Sequence, residues 1–304
     1  MLEDVLGWLR CPACGGALTR AGGTLRCPSG HVFDIARQGY VSLLPGGLTP
    51  VGDTAAMVAA RTGFLGAGHY APLADAVATA AEGAGTGAGV EAGVEAGTGA
   101  GVGDPPGCVA DVGAGTGYYL AAVLDRQPGR AGLALDASKF AARRAARAHP
   151  RIGAVVADVR GRLPVADGAA AVALSVFAPR PAAELRRILH PAGRLLVVTP
   201  DPDHLGELAG PLGLLAVDPR KDERLAARLG DRFDLASRRQ LRFQVALGHQ
   251  DVTAVAAMGP SAWHADPARL AERVAALPSV VSVTVSVTMW AFRPSNQRDT
   301  GGPR

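Results

Sequence analysis

The segment VADVGAGTGYY (109–119) constrains the fold of this chain more than any other stretch, because it places a glycine-rich turn between a predicted strand and a predicted helix. Its pattern is Asp111-x-Gly113-x-Gly115-x-Gly117. Glycine tolerates backbone conformations and close approaches that other residues do not. In open α/β sheets, ligands bind at the carboxyl ends of the strands, which is where this loop would lie. The segment therefore predicts a ligand site on an α/β fold.

Strand-like and helix-like segments alternate around this loop. The predicted strands are at 108–112, 131–136, 152–158, 169–177 and 193–200, and the predicted helices between them are at 117–127, 138–149 and 182–190. This order predicts a doubly wound, mostly parallel sheet. We predict further strands at 241–247 and in the alternating run 280–292, with a helix at 266–277 between them in the sequence. The long last strand is expected to form an antiparallel edge of the sheet.

The loop is not a dinucleotide fingerprint, because the third glycine of G-x-G-x-x-G would fall on Tyr118. A cofactor without a pyrophosphate fits better. Asp136 ends the second strand, nineteen residues after Gly117, where a carboxylate accepts hydrogen bonds from ribose hydroxyls. Asp158 ends the third strand, within reach of an adenine amine. A glycine turn without a cofactor and a nucleotide site are the alternatives.

This arrangement resembles the class I S-adenosylmethionine-dependent methyltransferases. The resemblance implies a Rossmann-like methyltransferase sheet and S-adenosylmethionine as cofactor. The cofactor-binding residues implied are Asp111, Gly113, Ala114, Gly115, Thr116, Gly117, Asp136 and Asp158.

A second cluster lies near the N-terminus, where three of the four cysteines occur as Cys11-x2-Cys14 and Cys27-x3-His31. Structural zinc takes four tetrahedral nitrogen and sulfur ligands, which is the number offered here. A disulfide would leave one cysteine unpaired and does not suit a reducing compartment. A catalytic zinc would keep one coordination position open. We therefore predict a structural Zn²⁺ site in a small module that folds with its metal.

Composition limits the remaining classes. Hydrophobic residues make up 48% of the 304 residues, which is enough for a core and too much for a disordered chain. The N-terminus does not read as a secretory signal, and no segment has the roughly 18 uninterrupted apolar residues of a membrane helix. We expect a cytoplasmic protein with no membrane partner. The net charge of +4 is compatible with a nucleic-acid partner.

The chain divides into five predicted segments. They are a zinc-binding module at 1–45, a helical connector at 46–82, a Gly/Ala spacer at 83–103, the methyltransferase domain at 104–294 and a disordered tail at 295–304. Within the connector, Asp53 is predicted to cap a helix that runs to about Leu65. The GAGTG at 83–87 imitates the glycine loop but follows no strand, so we exclude it as a site.

Motifs along nearly the whole chain are similar to the RlmA-type 23S rRNA guanine-N1 methyltransferases. The first is CPxC…LxC…GHxFDxARxGYVxLL, within residues 11–44. The others are GHY at 68–70, DxSK at 136–139, LP at 163–164, FAP at 177–179, VVTPDPDHL at 197–205 and MGPSAWH at 258–264. Within this family, the chain most resembles the tylosin-resistance subgroup, because it carries the motifs VFAPR, ARAHP and MGPSxWH.

This resemblance implies a zinc-binding domain that holds 23S rRNA and methylation of N1 of a guanine in the hairpin 35 loop of domain II. It implies a role in macrolide self-resistance or in housekeeping modification, and a homodimer, although the sequence shows no interface signature. No DNA partner is expected. Two other classes stay open: a small-molecule methyltransferase such as an antibiotic-tailoring enzyme, and a non-enzymatic zinc-containing RNA-binding protein.

The family also implies that the histidines matching His69 and His204 lie near the cofactor, with helix-cap and loop roles as alternatives. Candidate RNA contacts on the zinc module are Arg10, Arg26 and Arg37.

The loop after the fourth strand, residues 175–180, usually faces the target base in such folds. Phe177 either stacks on a base or belongs to the core. Arg180 either contacts guanine O6, contacts a phosphate or is a surface charge exposed to solvent. The loop has no carboxylate, and we name no catalytic base.

Overall fold

The computed structural model describes residues 2–46, 50–82, 105–215, 217–218, 220–259 and 266–295. The predicted spacer at 83–103, the tail beyond residue 295 and most of the MGPSAWH motif lie outside the described residues. Within the described part, no helix is both long enough and apolar enough to cross a membrane.

The N-terminal unit begins with a short helix and a small antiparallel sheet of three strands in the order β1-β2-β3. Its elements are α1 (Leu2–Val5), β1 (Thr19–Ala21), β2 (Thr24–Arg26), β3 (Val32–Asp34) and β4 (Tyr40–Ser42).

Eight strands form the main sheet. The seven that follow β4 are β5 (Cys108–Val112), β6 (Gly132–Asp136), β7 (Ile152–Val156), β8 (Ala170–Val176), β9 (Leu189–Pro200), β10 (Phe233–Gly248) and β11 (Val280–Pro294). Their order is β10-β11-β9-β8-β5-β6-β7-β4. Strands β4 to β9 run parallel to one another, while β11 pairs antiparallel with both β9 and β10. The predicted mostly parallel sheet with an antiparallel C-terminal edge is confirmed.

The helices cover the two faces of this sheet. They are α2 (Ala55–Gly66), α3 (Ala71–Glu82), α4 (Tyr118–Arg126), α5 (Lys139–Ala145), α6 (Ala182–Ile188), α7 (Gly206–Leu212), α8 (Lys221–Leu229), α9 (His249–Met258) and α10 (Pro267–Ala275). Helices α2 to α5, α7, α9 and α10 pack on one face. The other face packs against α1, α6, α8 and the N-terminal unit. Strands β5, β7 and β8 are buried throughout, as expected for strands covered on both faces.

The N-terminal unit is continuous with the main sheet, because β4 pairs in parallel with β7 at its edge. Two backbone hydrogen bonds also tie it to the loop after β7. The N–H of Arg10 donates to the carbonyl of Pro164 at 2.9 Å, and the N–H of Ala166 donates to that of Trp8 at 2.8 Å.

The predicted cap of α2 is wrong by one residue. Thr54 is the N-cap, and its hydroxyl accepts a hydrogen bond from the N–H of Met57 at 3.2 Å. The carboxylate of Asp53 instead forms an ion pair with Arg61 within the same connector.

Candidate active site and metal centre

The glycine loop joins β5 to α4, and its three glycines all have positive φ, at 83° for Gly113, 54° for Gly115 and 78° for Gly117. A Cβ on Gly113 would lie 2.4 Å from the Cβ of Ala178, and one on Gly117 would lie 3.0 Å from the Cα of Ala145. Other residues would be strained and would clash there. The glycines therefore let the loop run closely against its neighbours.

Asp136 ends β6 and orders this loop. One carboxylate oxygen accepts a hydrogen bond from the N–H of Gly115, and the other accepts one from the N–H of Ser138, both at 2.8 Å. Burial raises the pKa of Asp136, and these hydrogen bonds oppose the rise. Each oxygen has a second lone pair, so the carboxylate can still accept hydrogen bonds from ligand hydroxyls.

Asp111 lies in β5 behind the glycine loop and is only 1% exposed. Its Oδ1 has no hydrogen-bond partner among the described residues. Burial, with a smaller contribution from nearby Asp136, raises the pKa of Asp111 to about 8. A buried acceptor without a donor is costly, so this atom is suited to a ligand that brings a donor.

These groups open into a cleft of about 960 Å³, within the usual range for sites of small ligands. The predicted residues that line it are Asp111, Gly113, Ala114, Gly115, Thr116, Asp136, Asp158, Phe177, Arg180 and His204. Gly117 caps α4 behind the loop and does not line the cleft. The carboxyl ends of five different elements thus meet at one place, as the parallel topology requires.

His69 is not part of this lining. Its Nε2 lies 3.2 Å from Oδ1 of Asp251, and its ring packs against Phe64 at 5.0 Å between centroids. The next residue, Tyr70, lines the cleft in its place. The GHY motif therefore brings a tyrosine to the site, while the histidine joins α9 to the connector.

His204 is held from two sides. The N–H of Ser286 donates to its Nδ1 at 3.2 Å, and its Nε2 lies 3.1 Å from the hydroxyl oxygen of Tyr70. With Nδ1 acting as acceptor, a neutral ring carries its proton on Nε2 and donates it to Tyr70. Burial raises the pKa of Tyr70, so the phenol keeps its own proton for donation.

Several cleft residues were not predicted as site residues, among them Asp53, Arg61 and Tyr70. Arg61 joins the Asp53 carboxylate to the end of α9, where its Nη2 donates to the carbonyl of Met258 at 2.7 Å. Ser138 donates from its hydroxyl to the Asp53 carbonyl at 2.6 Å. Residues 50–53 therefore form a strap across the Asp136 side of the cleft. No pattern in the sequence links these separated residues, although GHY pointed to the neighbour of Tyr70.

The wall opposite the strap contains unusual backbone. Phe177 and Leu205 are the two non-glycine residues with positive φ in the part of the chain that the structure describes, at 54° and 56°. The Phe177 ring is 40% exposed and lies 5.8 Å from the ring of His204 and 6.5 Å from those of Tyr70 and Tyr119, between centroids. Such strain persists only where surrounding structure holds it, and it clusters at functional sites. Phe177 is therefore not a closed core residue.

Arg180 lies on the same wall. Its Nε is buried and has no hydrogen-bond partner among the described residues. Burial lowers the pKa of Arg180, and the positive charge of nearby Arg228 adds to the effect. This setting differs from that of an arginine whose head group is solvated, so the surface-charge alternative does not describe it.

Cys11, Cys14, Cys27 and His31 converge as predicted, and their ligand atoms all lie within 4.8 Å of one another. His31 offers Nδ1, which lies 3.2 Å from the sulfur of Cys27 and 3.6 Å from that of Cys11. None of the three cysteines forms a disulfide. Hydrogen bonding from Ser29 is the main cause that lowers the pKa of Cys14 to about 6, which favours the thiolate that binds metal.

The predicted RNA contacts of the N-terminal unit differ in setting. Arg26 and Arg37 are exposed. Arg10 is half-buried and donates to the carbonyls of Gly7 at 3.0 Å and Leu9 at 2.7 Å. The structure thus presents two of the three guanidinium groups freely to solvent.

Comparison with known proteins agrees with this architecture. The family model described as RlmA, N-terminal, matches residues 9–47. A Micromonospora griseorubida protein named as a 23S rRNA (guanine-N1) methyltransferase is 54% identical over 301 residues, covering 97% of this chain and 100% of that protein. The 23S rRNA (guanine(748)-N1)-methyltransferase of Streptomyces fradiae is 50% identical, over 97% of this chain and 99% of that protein. A similarly named protein of Bacillus subtilis is 32% identical, over 91% and 93%.

These relatives span the N-terminal cluster and the cleft together, at identities far above those needed to establish kinship. The RlmA-type resemblance read from the motifs is confirmed, and the chain belongs to the family of 23S rRNA (guanine-N1) methyltransferases.

Proposed function

We propose that this protein transfers a methyl group from S-adenosylmethionine to N1 of a guanine in the hairpin 35 loop of 23S rRNA. The observation that carries the proposal is the 50% identity, along the whole chain, to the Streptomyces fradiae enzyme whose name gives guanine 748 N1 as its target. The cleft supports it independently, through the fit of its residues to the cofactor.

S-adenosylmethionine is an amino acid, a sulfonium and an adenosine joined together, and the amino-acid and adenosine parts have matching groups here. The unpartnered Oδ1 of Asp111 suits the ammonium group of the amino-acid part. The glycine loop gives the cofactor room to approach the backbone. Asp136 suits the ribose hydroxyls, and Asp158, at the end of the next parallel strand, suits the adenine amine. Tyr70 and His204 complete the wall near the donor.

The bound cofactor would supply an activated methyl group, so the protein needs only to bring a nucleophile to it in line. The chain's own contribution is then orientation and exclusion of water. The strap at 50–53 closes one side of the cleft, and the aromatic rings around Phe177 form the other. Positioning of this kind accelerates bimolecular reactions by large factors.

The N-terminal unit is proposed to hold the RNA, with zinc bound by Cys11, Cys14, Cys27 and His31. The ligand atoms fit a tetrahedral site with three sulfurs and one nitrogen. Exposed Arg26 and Arg37, with Arg10 beside them, offer phosphate contacts on this unit. A ribosomal RNA substrate supports a cytoplasmic location, which is part of this proposal. The family resemblance also predicts a homodimer, which sedimentation of the purified protein would test.

Primer extension tests the reaction directly, because a methyl group on guanine N1 blocks base pairing. We expect a reverse-transcription stop in hairpin 35 of rRNA from cells that express the protein, and none with an Asp136→Asn variant or without the gene.

Methyl transfer to a small molecule, with no stop in the rRNA, would indicate an antibiotic-tailoring enzyme. Zinc-dependent RNA binding without any methyl transfer would indicate a non-enzymatic protein. Macrolide susceptibility of the same strains tests the proposed resistance role.

A further inference from the structure

We propose that Arg180 is a catalytic residue that contacts O6 of the target guanine and stabilises the negative charge formed as N1 loses its proton. This inference rests on the proposed function and adds a charge-stabilising group to it. Guanine N1 carries a proton at neutral pH, and the loop after β8 offers no carboxylate to remove it. A fixed cation near O6 makes the proton easier to lose without a dedicated base.

The first support is the position of Arg180 next to the methyl-donor side of the cleft. Residues 177–180 run directly against the glycine loop, since a Cβ on Gly113 would touch the side chains of Ala178 and Pro179 at 2.4 and 3.7 Å. Arg180 lines the same cleft as Asp111 and Asp136. A group bound by Arg180 therefore shares the cleft with the cofactor-binding residues.

The second support is charge. Arg180 has no ion-pair partner among the described residues, and the charged side chain that most affects it is another cation, Arg228. Two carboxylates that line the same cleft are engaged elsewhere: Asp218 pairs with Arg224 at 2.7 Å, and Asp136 accepts two backbone hydrogen bonds. A half-buried cation without an ion-pair partner is less favourable than a paired one until an anion enters. A guanine deprotonated at N1 is such an anion, with its charge shared between N1 and O6.

The third support is the strained platform three residues earlier. Phe177 presents an exposed ring from a left-handed backbone conformation, in the cleft and on the same loop as Arg180. A base that stacks on this ring has its edge close to the arginine-bearing loop, and stacking on an aromatic side chain contributes about 1–3 kcal/mol per base. The Phe177 ring and the Arg180 charge would thus act on the same base.

The burial of the Arg180 Nε atom favours guanine O6 over a backbone phosphate as the partner of this side chain. The side chain of Arg224, which also lines the cleft, is 63% exposed and suits a hydrated phosphate. The Nε of Arg180 is fully buried. A flat base can enter such a place, whereas a phosphate remains on the continuous chain outside.

The transfer balances as follows. The N1–H bond breaks and the proton passes to water, while its electron pair stays on the base and is shared with O6. That pair then forms the bond from N1 to the methyl carbon, and the carbon–sulfur pair remains on sulfur as a thioether. Arg180 donates to O6 throughout and neither gains nor loses a proton.

The test compares single-turnover methyl transfer by wild-type protein, Arg180→Gln and Arg180→Lys on unmethylated 23S rRNA. Loss of a donor aimed at developing negative charge lowers the rate about 10²–10³-fold. We expect that loss for Arg180→Gln, with an unchanged KM for RNA, and partial recovery for Arg180→Lys. Arg269→Gln is the matched control, because Arg269 is exposed on α10 and does not line the cleft.

A second RNA substrate distinguishes a contact of Arg180 with guanine O6 from a contact with a backbone phosphate. In a hairpin 35 RNA carrying 8-azaguanosine at the target, the extra ring nitrogen withdraws electrons and makes N1–H more acidic. The defect of Arg180→Gln should shrink at least tenfold on this RNA. A defect equal on both RNAs, appearing in KM with a salt dependence that falls by about one counterion, would assign Arg180 to a phosphate and overturn the proposal.

Stability gives an independent readout. Removing an unpaired buried charge beside Arg228 should leave the melting temperature of Arg180→Gln equal to or above that of wild type. A clear loss of stability would show that Arg180 is structural, which also overturns the proposal. If the wild-type protein itself fails to methylate guanine N1, the proposed function is lost; if it succeeds and Arg180→Gln is equally fast, only this inference is lost.

Discussion

At the scale of single residues, Asp111 makes the ligand-free protein sensitive to pH. Its pKa of about 8 in the folded state lies far above the value of 3.8 expected for an exposed aspartate. Between these values the folded state binds more protons than the unfolded chain, so the free energy of unfolding falls as pH rises. Each unit of pKa shift corresponds to about 1.4 kcal/mol.

Asp111→Asn should therefore raise the melting temperature more at pH 8 than at pH 5. It should also weaken binding of S-adenosylmethionine at least tenfold, because the acceptor for the ammonium group is lost. Thermal unfolding at the two pH values and calorimetric titration with the cofactor check both effects. A variant that is no more stable at pH 8, or that binds the cofactor as tightly, would contradict the role given to Asp111.

The three aspartates of this cleft were predictable for one physical reason. Parallel strands bring their carboxyl ends to one edge, so Asp111, Asp136 and Asp158 could be placed together from sequence order alone. Arg61 and Tyr70 come from the connector, and their positions depend on how helices pack. Short-range patterns carry no such information. The family resemblance implied His69 near the cofactor, whereas the structure brings its neighbour Tyr70 to the cleft.

At the scale of elements, the strands that are buried on both faces were the easiest to predict from the sequence. Strands such as β5 and β8 are apolar throughout because both faces are covered. The strand β10 was predicted only from residue 241, because its first half is an exposed edge rich in polar residues. Helices α7 to α9 were not predicted.

The strap at residues 50–53 is the element whose closure we expect to control cofactor affinity. Arg61→Ala removes its ion pair, and Gly52→Ala would place a Cβ 2.8 Å from the backbone nitrogen of Ser138 without changing any charge. Both should raise the dissociation constant for S-adenosylmethionine about tenfold and increase amide exchange over 50–53. Arg126→Ala is the control, since it breaks a comparable exposed ion pair with Asp75, worth only about 0–1 kcal/mol. Normal affinity in both strap variants would show that the strap is passive.

At the scale of the whole molecule, the N-terminal unit is built into the methyltransferase sheet. Strand β4 extends the sheet beside β7, and β7 leads to Asp158 in the cleft. Leu9 and Leu25 of this unit also share a buried cluster with Leu133 and Val155 of the sheet. Metal binding and cofactor binding are thus connected through packed structure.

Loss of zinc should accordingly be felt in the cleft. The variant Cys14→Ser removes one ligand, and small modules of this kind depend on metal for folding. We expect faster amide exchange over residues 9–42, spreading into β7, and about tenfold weaker binding of S-adenosylmethionine. The antiparallel pair of β10 and β11 lies at the opposite edge of the sheet and should keep its protection, which makes it an internal control. Zinc content measured on the same samples ties the effect to the metal. If zinc is lost while β7 and cofactor affinity stay as in wild type, the N-terminal unit is an independent RNA-binding attachment, because the shared strand and core then transmit nothing to the cleft.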